Sequence, residues 1–313
     1  MKVFRNSTIA LTLAAIAALT TLGSGCEYDR KEIAKEKRNQ GAIEYNKGYT
    51  KNAQELFKDA SGTDPSDPIN WLYLGATMVK DYRKEIDDAK KKELANQALE
   101  VYQKALSLAK DNCIVIDNAL SYMAVIYDDM KRTDDWRKTM GERATNKCTK
   151  QEARAQAYYG IGVDYWKCSY DQTSRYQDKA LFSKDQFHYR KMDYSPEALA
   201  DKQKAEACVA KGFEYFEKAL EIDPEYTEAM FYKGLLYRER QKLTKEESKR
   251  KEFEQMAIKI ADEATALQKK EQATAEQKAK EQASPTGQQM YRLDRTIKYD
   301  HIQALREGTC DAT

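Results

Sequence analysis

The 313-residue sequence predicts an all-α protein: about five helix pairs stacked as a right-handed α-solenoid, with long insertions inside some pairs and a protruding C-terminal helix. Three observations lead there. Large apolar residues recur at helical spacings of three and four along most of the chain. A glycine-centred pattern returns after 34 residues, from Gly41 to Gly75, and a fixed period of this kind marks a repeated helical or strand unit. Only 13 Gly and 5 Pro punctuate a chain that is 33% charged, too few for a sandwich or barrel with a turn about every 8–12 residues.

Charge and composition narrow the function classes. The chain carries 53 Lys+Arg against 51 Asp+Glu, a formal net of +2. Lys2 and Arg5 are the only charges in the first 25 residues, so the remainder balances at zero. This neutrality gives no support to nucleic-acid binding, which shows a basic excess or a basic face. Two histidines, His188 and His301, leave little material for His-based metal or acid–base chemistry.

The first element is a leader over residues 1–25. Met1–Ser7 is positively charged, and Thr8–Leu22 is an uncharged run of 15 residues, short of the roughly 20 a membrane helix needs but suited to a secretory signal. Gly23, Ser24 and Gly25 precede Cys26, which resembles a bacterial lipoprotein lipobox whose Cys is acylated and becomes the mature N-terminus. Gly23 stands where that family prefers Leu, and Leu22 lies one place earlier. The alternative is an ordinary signal peptide with an incidental Cys nearby. Glu27, rather than Asp, would in a Gram-negative lipoprotein imply the outer membrane. Two acyl chains would supply the anchor at about 0.8 kcal/mol per buried CH₂, so the folded part needs no membrane element. Residues 26–33 are then a lipidated tether.

The repeats occupy 34–264. Gly41 is followed by Ala53, Phe57, Ala60 and Pro65, and Gly75, preceded by Trp71 and Leu74, by Ala98, Tyr102 and Ala105 after 11 extra residues. A third unit holds Leu120, Met123, Ala124 and Tyr127, then Trp136 and Met140. A fourth holds Tyr158, Ile161, Gly162 and Tyr165, and its second half returns as Gly212, Phe216, Ala219 and Pro224 after 38 extra residues. The fifth carries Met230, Gly234 and Tyr237. These spacings resemble the tetratricopeptide repeat, two units nearly complete and three divergent. Independently of the name, Gly75 omits a side chain where a second helix must cross closely, and Ala53, Phe57 and Ala60 form the complementary small–large–small face. Pro65 and Pro224 end second helices because Pro lacks an N–H and restricts the preceding residue. The insertion at 169–207, rich in Tyr and Phe with His188, reads as a partly ordered flap, since loops beyond about 12–15 residues in compact domains are usually functional or disordered.

Beyond Lys242, Phe253, Ala257, Ile260, Ala264 and Leu267 continue a helical stripe, the expected second helix of unit five. Residues 265–284 read as an extended charged helix, poor in the large residues a coiled coil requires. The tail 285–313 contains Met290, Leu293 and Ile297 at helical spacing, suited to a short helix returning to the stack.

Placed on the repeat map, Cys113 and Cys148 fall at coinciding ends of the unit-three hairpin. Cys168 falls at the end of unit four's first helix and Cys208 just before its second. Disulfides Cys113–Cys148 and Cys168–Cys208 are therefore expected, with Cys310 free; the alternative is buried free thiols.

No phosphate loop, H-E-x-x-H, G-x-S-x-G or C-x-x-C motif is present. A Cys168–His188 nucleophile–base pair has nothing to orient the imidazole. No catalytic, metal or cofactor site is expected, and the chain is read as non-enzymatic. In the resembled family, ligands lie in a concave groove lined by the first helix of each pair. Carried over, that implies Arg38, Tyr45, Asn46, Leu72, Lys80, Tyr159, Trp166, Phe231 and Arg238, with Asp128 and Asp129, as the partner-binding face. Aromatic residues there compete between ligand contact and packing between units. The family's clamp for peptide C-termini is not reproduced. The expected role is a lipid-anchored, periplasm-facing scaffold for a protein or peptide partner, in cell-envelope assembly. Capture of a solute or glycan on the aromatic surface beneath the insertion is the alternative.

Overall fold

A computed structural model describes residues 28–176 and 195–283. Every regular element among them is helical. A first helix, α1 (28–46), is followed by α2 (Thr50–Thr63), α3 (Pro68–Lys84), α4 (Asp88–Leu108), α5 (Cys113–Asp129), α6 (Thr133–Thr145) and α7 (Gln151–Thr173). A short 3₁₀ turn, Ser174–Tyr176, ends this segment; α8 (Pro196–Ile222), α9 (Thr227–Leu243) and α10 (Glu247–Ala283) form the second. The chain divides into two compact units, Met1–Ile161 and Gly162–Thr313.

Local chemistry sets the helix ends. Asp67 and Ser195 cap α3 and α8, accepting from the amides of Ile69 (2.9 Å) and Ala198 (3.1 Å), and each is followed by Pro at the first helical position, where no donor is lost. Gly48, at φ 88°, closes α1: its amide bonds Tyr45 O and that of Tyr49 bonds Glu44 O, the two crossed bonds of a left-handed helix stop. Lys131 closes α5 in the same way at φ 58°, a conformation that favours Gly.

In the first unit the core runs along the crossings of α3, α4 and α5, through Val79, Tyr82, Ala98, Tyr102, Val115 and Ile126. Ala53, Phe57 and Leu74 form a second cluster between α2 and α3. Alanines line the close approaches: Ala53, Ala60, Ala98 and Ala105 are fully buried, and Ala219 repeats the role on α8 in the second unit.

Both expected disulfides are present. Cys113, the first residue of α5, bonds Cys148 beyond α6, and Cys168 of α7 bonds Cys208 of α8. The second pair corrects the sequence expectation about its setting. Cys168 and Cys208 lie inside helices, because α7 continues to Thr173 and α8 begins at Pro196. Residues 169–173 and 196–207 of the expected flap are thus helix extending from both neighbours. The 11 extra residues of the second unit are absorbed in the same way, four at the end of α3 and seven at the start of α4. Helix is the cheaper state for both because it satisfies backbone groups internally.

The fifth pair is α9 with α10. Helix α10 is continuous over 37 residues; Ala257 and Ala264 are buried on it and its side chains are exposed from 268 to 280. Among the described residues no helix is long and apolar enough to cross a membrane. Cys26 with the leader, the aromatic residues of 182–194, Cys310 and the expected tail helix lie outside the described residues.

Candidate partner-binding face

In the first unit, the expected face is built by α1, α3 and α5. Two predicted residues meet on it: the Lys80 ammonium lies 4.0 Å from the centroid of the Tyr45 ring, a cation–π contact joining α3 to α1. Asn46, the next residue, is exposed, as is Asp128. Asp129 joins α5 to α3, its Oδ2 accepting from Tyr82 Oη at 2.6 Å and from Arg83 Nε at 3.1 Å. Burial, and then the Asp129 carboxylate, raise the Tyr82 hydroxyl well above the usual phenol range. Tyr159, on α7, is half-buried.

Two predicted residues are used otherwise. Leu72 is 7% exposed and belongs to the core, so it offers no surface. Arg38 donates to Asp67 and, at 3.0 Å, to Asn70 Oδ1. Asn70 is itself fully buried and donates to the carbonyls of Ala60 (3.3 Å) and Asp64 (3.1 Å). Arg38 is thereby a brace that ties α1 to the turn between α2 and α3. Its guanidinium is committed to the N-cap of α3.

In the second unit, Trp166 of α7 packs between two tyrosines. It stacks on Tyr170 with centroids 5.4 Å apart and meets Tyr232 of α9 edge-on at 5.2 Å. Phe231 is half-buried and Arg238 exposed. Beside them is a polar cluster that the sequence reading did not anticipate. Glu239 is 2% exposed; it accepts from Thr173 Oγ1 at 2.7 Å and Ser169 Oγ at 3.4 Å and pairs with Lys242. Lys242 in turn lies 5.3 Å from the Tyr170 ring centroid. Tyr170 was legible as the next-turn neighbour of Trp166, whereas Glu239 reads in sequence as one more solvated charge.

The orientation of these faces follows from one recurring contact. A Cβ placed on Gly41 would lie 2.7 Å from the Phe57 ring, on Gly75 2.8 Å from the Tyr102 ring, and on Gly162 2.6 Å from the Phe216 ring. In these three pairs a glycine of the first helix therefore receives an aromatic ring of the second, whatever the length inserted between them; in the fifth, Gly234 faces Ile260 instead. This crossing is the one that the sequence's resemblance to the tetratricopeptide repeat implies. No protein-family model matches this chain, and no curated protein does. Among solved structures it is similar to MamA (16% identity over 75% of this chain and 95% of that one, TM-score 0.43). It is also similar to YrrB, described as a TPR protein with an unusual peptide-binding site (15% identity, 80% and 97%, TM-score 0.40). A third is Pseudomonas aeruginosa PilF (15% identity, 84% and 99%, TM-score 0.39).

The crossing turns Gly75, like Gly41 and Gly162, toward the second helix. The flank bearing Tyr45 and Lys80 is left to meet the next first helix or a ligand. Among the described residues no group of three His, Cys, Asp or Glu could hold a metal ion.

Proposed function

We propose that the protein is a lipid-anchored, periplasm-facing scaffold that holds a protein or peptide partner on its first-helix face, in cell-envelope assembly and without catalysis of its own. The observation that carries this reading is the cross-linking of consecutive first helices by Tyr45–Lys80 and by Tyr82 and Arg83 with Asp129. It leaves Tyr45 half-exposed on that frame, and Tyr, Trp and Arg side chains are enriched among interface anchors. Tyr45, Asn46, Lys80, Tyr159, Trp166, Phe231 and Arg238 are the contact candidates, whereas Leu72 and Arg38 support the frame. Cys26 is the acylation site in this reading, with the outer membrane as its destination.

Photo-crosslinking from the Lys80 and Arg238 positions in intact membranes tests the scaffold. The expected result is a discrete crosslinked partner, lost on replacing Tyr45 and Phe231 by Ala; no partner from either position would overturn it. Mass spectrometry of the mature N-terminus tests the anchor, with an acylated Cys26 expected and an unmodified chain refuting it. A second reading, capture of a solute or glycan, is favoured by one feature. Tyr170 stays 41% exposed while stacked on Trp166, a platform on which a sugar ring could lie. Glycan binding lost in Trp166→Ala, with an unchanged set of crosslinked proteins, would select it.

A further inference from the structure

The residues that lengthen α4 build one side of a cleft of about 560 Å³, within the size range of sites for small organic ligands. Asp88, Lys91, Lys92 and Ala95 face it from the first two turns of α4, Tyr82 from the end of α3, and Asp129 with Arg132 from the end of α5 and the turn beyond. The spacing of three and four along α4 puts its contributors on one helical face. A pair without the extra 11 residues would lack this wall, so the cleft belongs to this chain's own elaboration of the repeat.

The charges around the cleft are of both signs. Asp129 receives both of its hydrogen bonds, from Tyr82 and Arg83, on Oδ2; among the described residues Oδ1 accepts none. Arg132 is engaged by Asp135 at 2.7 Å and lies over the Tyr127 ring. Lys91 and Lys92 make no ion pair among the described residues. A simple anion would meet Asp88 and Asp129, and a simple cation would meet two lysines; a ligand carrying both charges suits both sides. The N-terminal end of α4 adds a favourable field for a carboxylate placed near Lys91.

We propose that this cleft binds a dipolar ligand of the amino-acid or short-peptide class, its carboxylate held by Lys91 and Lys92 and its ammonium by Asp129 Oδ1. The site shares Tyr82 and Asp129 with the edge of the first-helix face, but its lysines come from α4 and it does not depend on the scaffold reading. The test uses the full chain in detergent solution, titrated calorimetrically with the twenty amino acids and a set of dipeptides, beside the N-acetylated and C-amidated form of each binder. Binding by at least one dipolar probe at about millimolar affinity or tighter is expected, weakened about tenfold or more by blocking either end. Lys91→Ala with Lys92→Ala is expected to weaken it about tenfold while leaving the melting temperature of the unliganded protein unchanged, since both side chains project from the helix surface. No binding by any dipolar probe at about 10 mM, equal binding of the blocked forms, or full affinity in the double variant would each overturn the assignment.

Discussion

Replacing Gly75 by Ala is the most direct probe of the helix crossing. The new methyl carbon would lie 2.8 Å from both Cε1 and Cζ of Tyr102 and 3.1 Å from Cδ1. Carbon–carbon contacts are comfortable at about 3.5–4.0 Å, so the ring must retreat by somewhat less than 1 Å. It has little room to do so: Tyr102 is fully buried and stacked on Tyr122 with centroids 5.4 Å apart. Overpacking of this kind costs about 1–3 kcal/mol, and a rigid, enclosed ring belongs at the upper end. Against this, Ala gains about 1 kcal/mol over Gly in a helix interior. The expected net loss is about 2 kcal/mol. Gly141 supplies the control, because it lies inside α6 with nothing within 4 Å of the added carbon. Gly141→Ala should therefore raise stability by about 1 kcal/mol through helix propensity alone. Urea unfolding followed by circular dichroism measures both. A double-mutant cycle with Tyr102→Leu should give a coupling of at least about 1 kcal/mol between positions 75 and 102. If both Ala variants shift stability in the same direction, or the cycle shows no coupling, the glycine-to-ring account of the crossing is wrong.

Other outcomes follow from single contacts. Tyr102 Oη is the one buried side-chain polar atom without a partner among the described residues, so Tyr102→Phe should stabilise by about 1 kcal/mol in the same unfolding assay. Burial raises the hydroxyls of both Tyr82 and Tyr102 above the ordinary value of 10.0, which keeps them neutral in the fold; their contribution is complete below about pH 10 and declines as pH rises beyond it. Alkaline titration of the unfolding free energy should accordingly show a shallower fall in Tyr82→Phe. Removing the Cys168–Cys208 bridge, which spans 40 residues, should lower stability by about 3–4 kcal/mol in the chain-entropy picture; an unchanged midpoint would show that the helices alone hold that neck. Lys242→Met leaves the buried Glu239 carboxylate without its cation and should destabilise by about 2 kcal/mol, discounted from the 3–5 of a fully buried pair because Lys242 is partly solvated, with part recovered in Lys242→Met/Glu239→Gln.

The parts legible in the sequence are those written within one helix pair. Gly75 and Tyr102, like Gly162 and Phe216, could be matched by spacing once the inserted lengths were subtracted; the Cys113–Cys148 pair followed from where hairpin ends meet, and Cys168–Cys208 is a pair although both residues lie inside helices. The ends of the large insertion were misjudged, because the repeat length placed Cys168 and Cys208 at helix ends. Yet Ser195 followed by Pro196 is a helix-start signal, and the run from Asp88 to Gln97 is rich in helix formers. The site was only partly legible. Tyr45 and Lys80 do meet on the expected face, whereas Leu72 and Arg38 were assigned to a surface but are taken up by packing and by the α3 N-cap.

What the sequence by itself determined is the unit: two helices, a glycine, a facing ring, and the small residues that let them approach. Those contacts recur in three pairs once the inserted lengths are subtracted, so composition and spacing are enough to specify them. What only the tertiary structure decided is how each first helix spends its outer flank. Tyr82 reaches Asp129 across 47 residues, and Thr173 reaches Glu239 across 66. Such pairs have no period. A polar side chain near a neighbouring helix is either solvated or bound there, and its free energy depends on donors and acceptors that only the packed chain brings within reach.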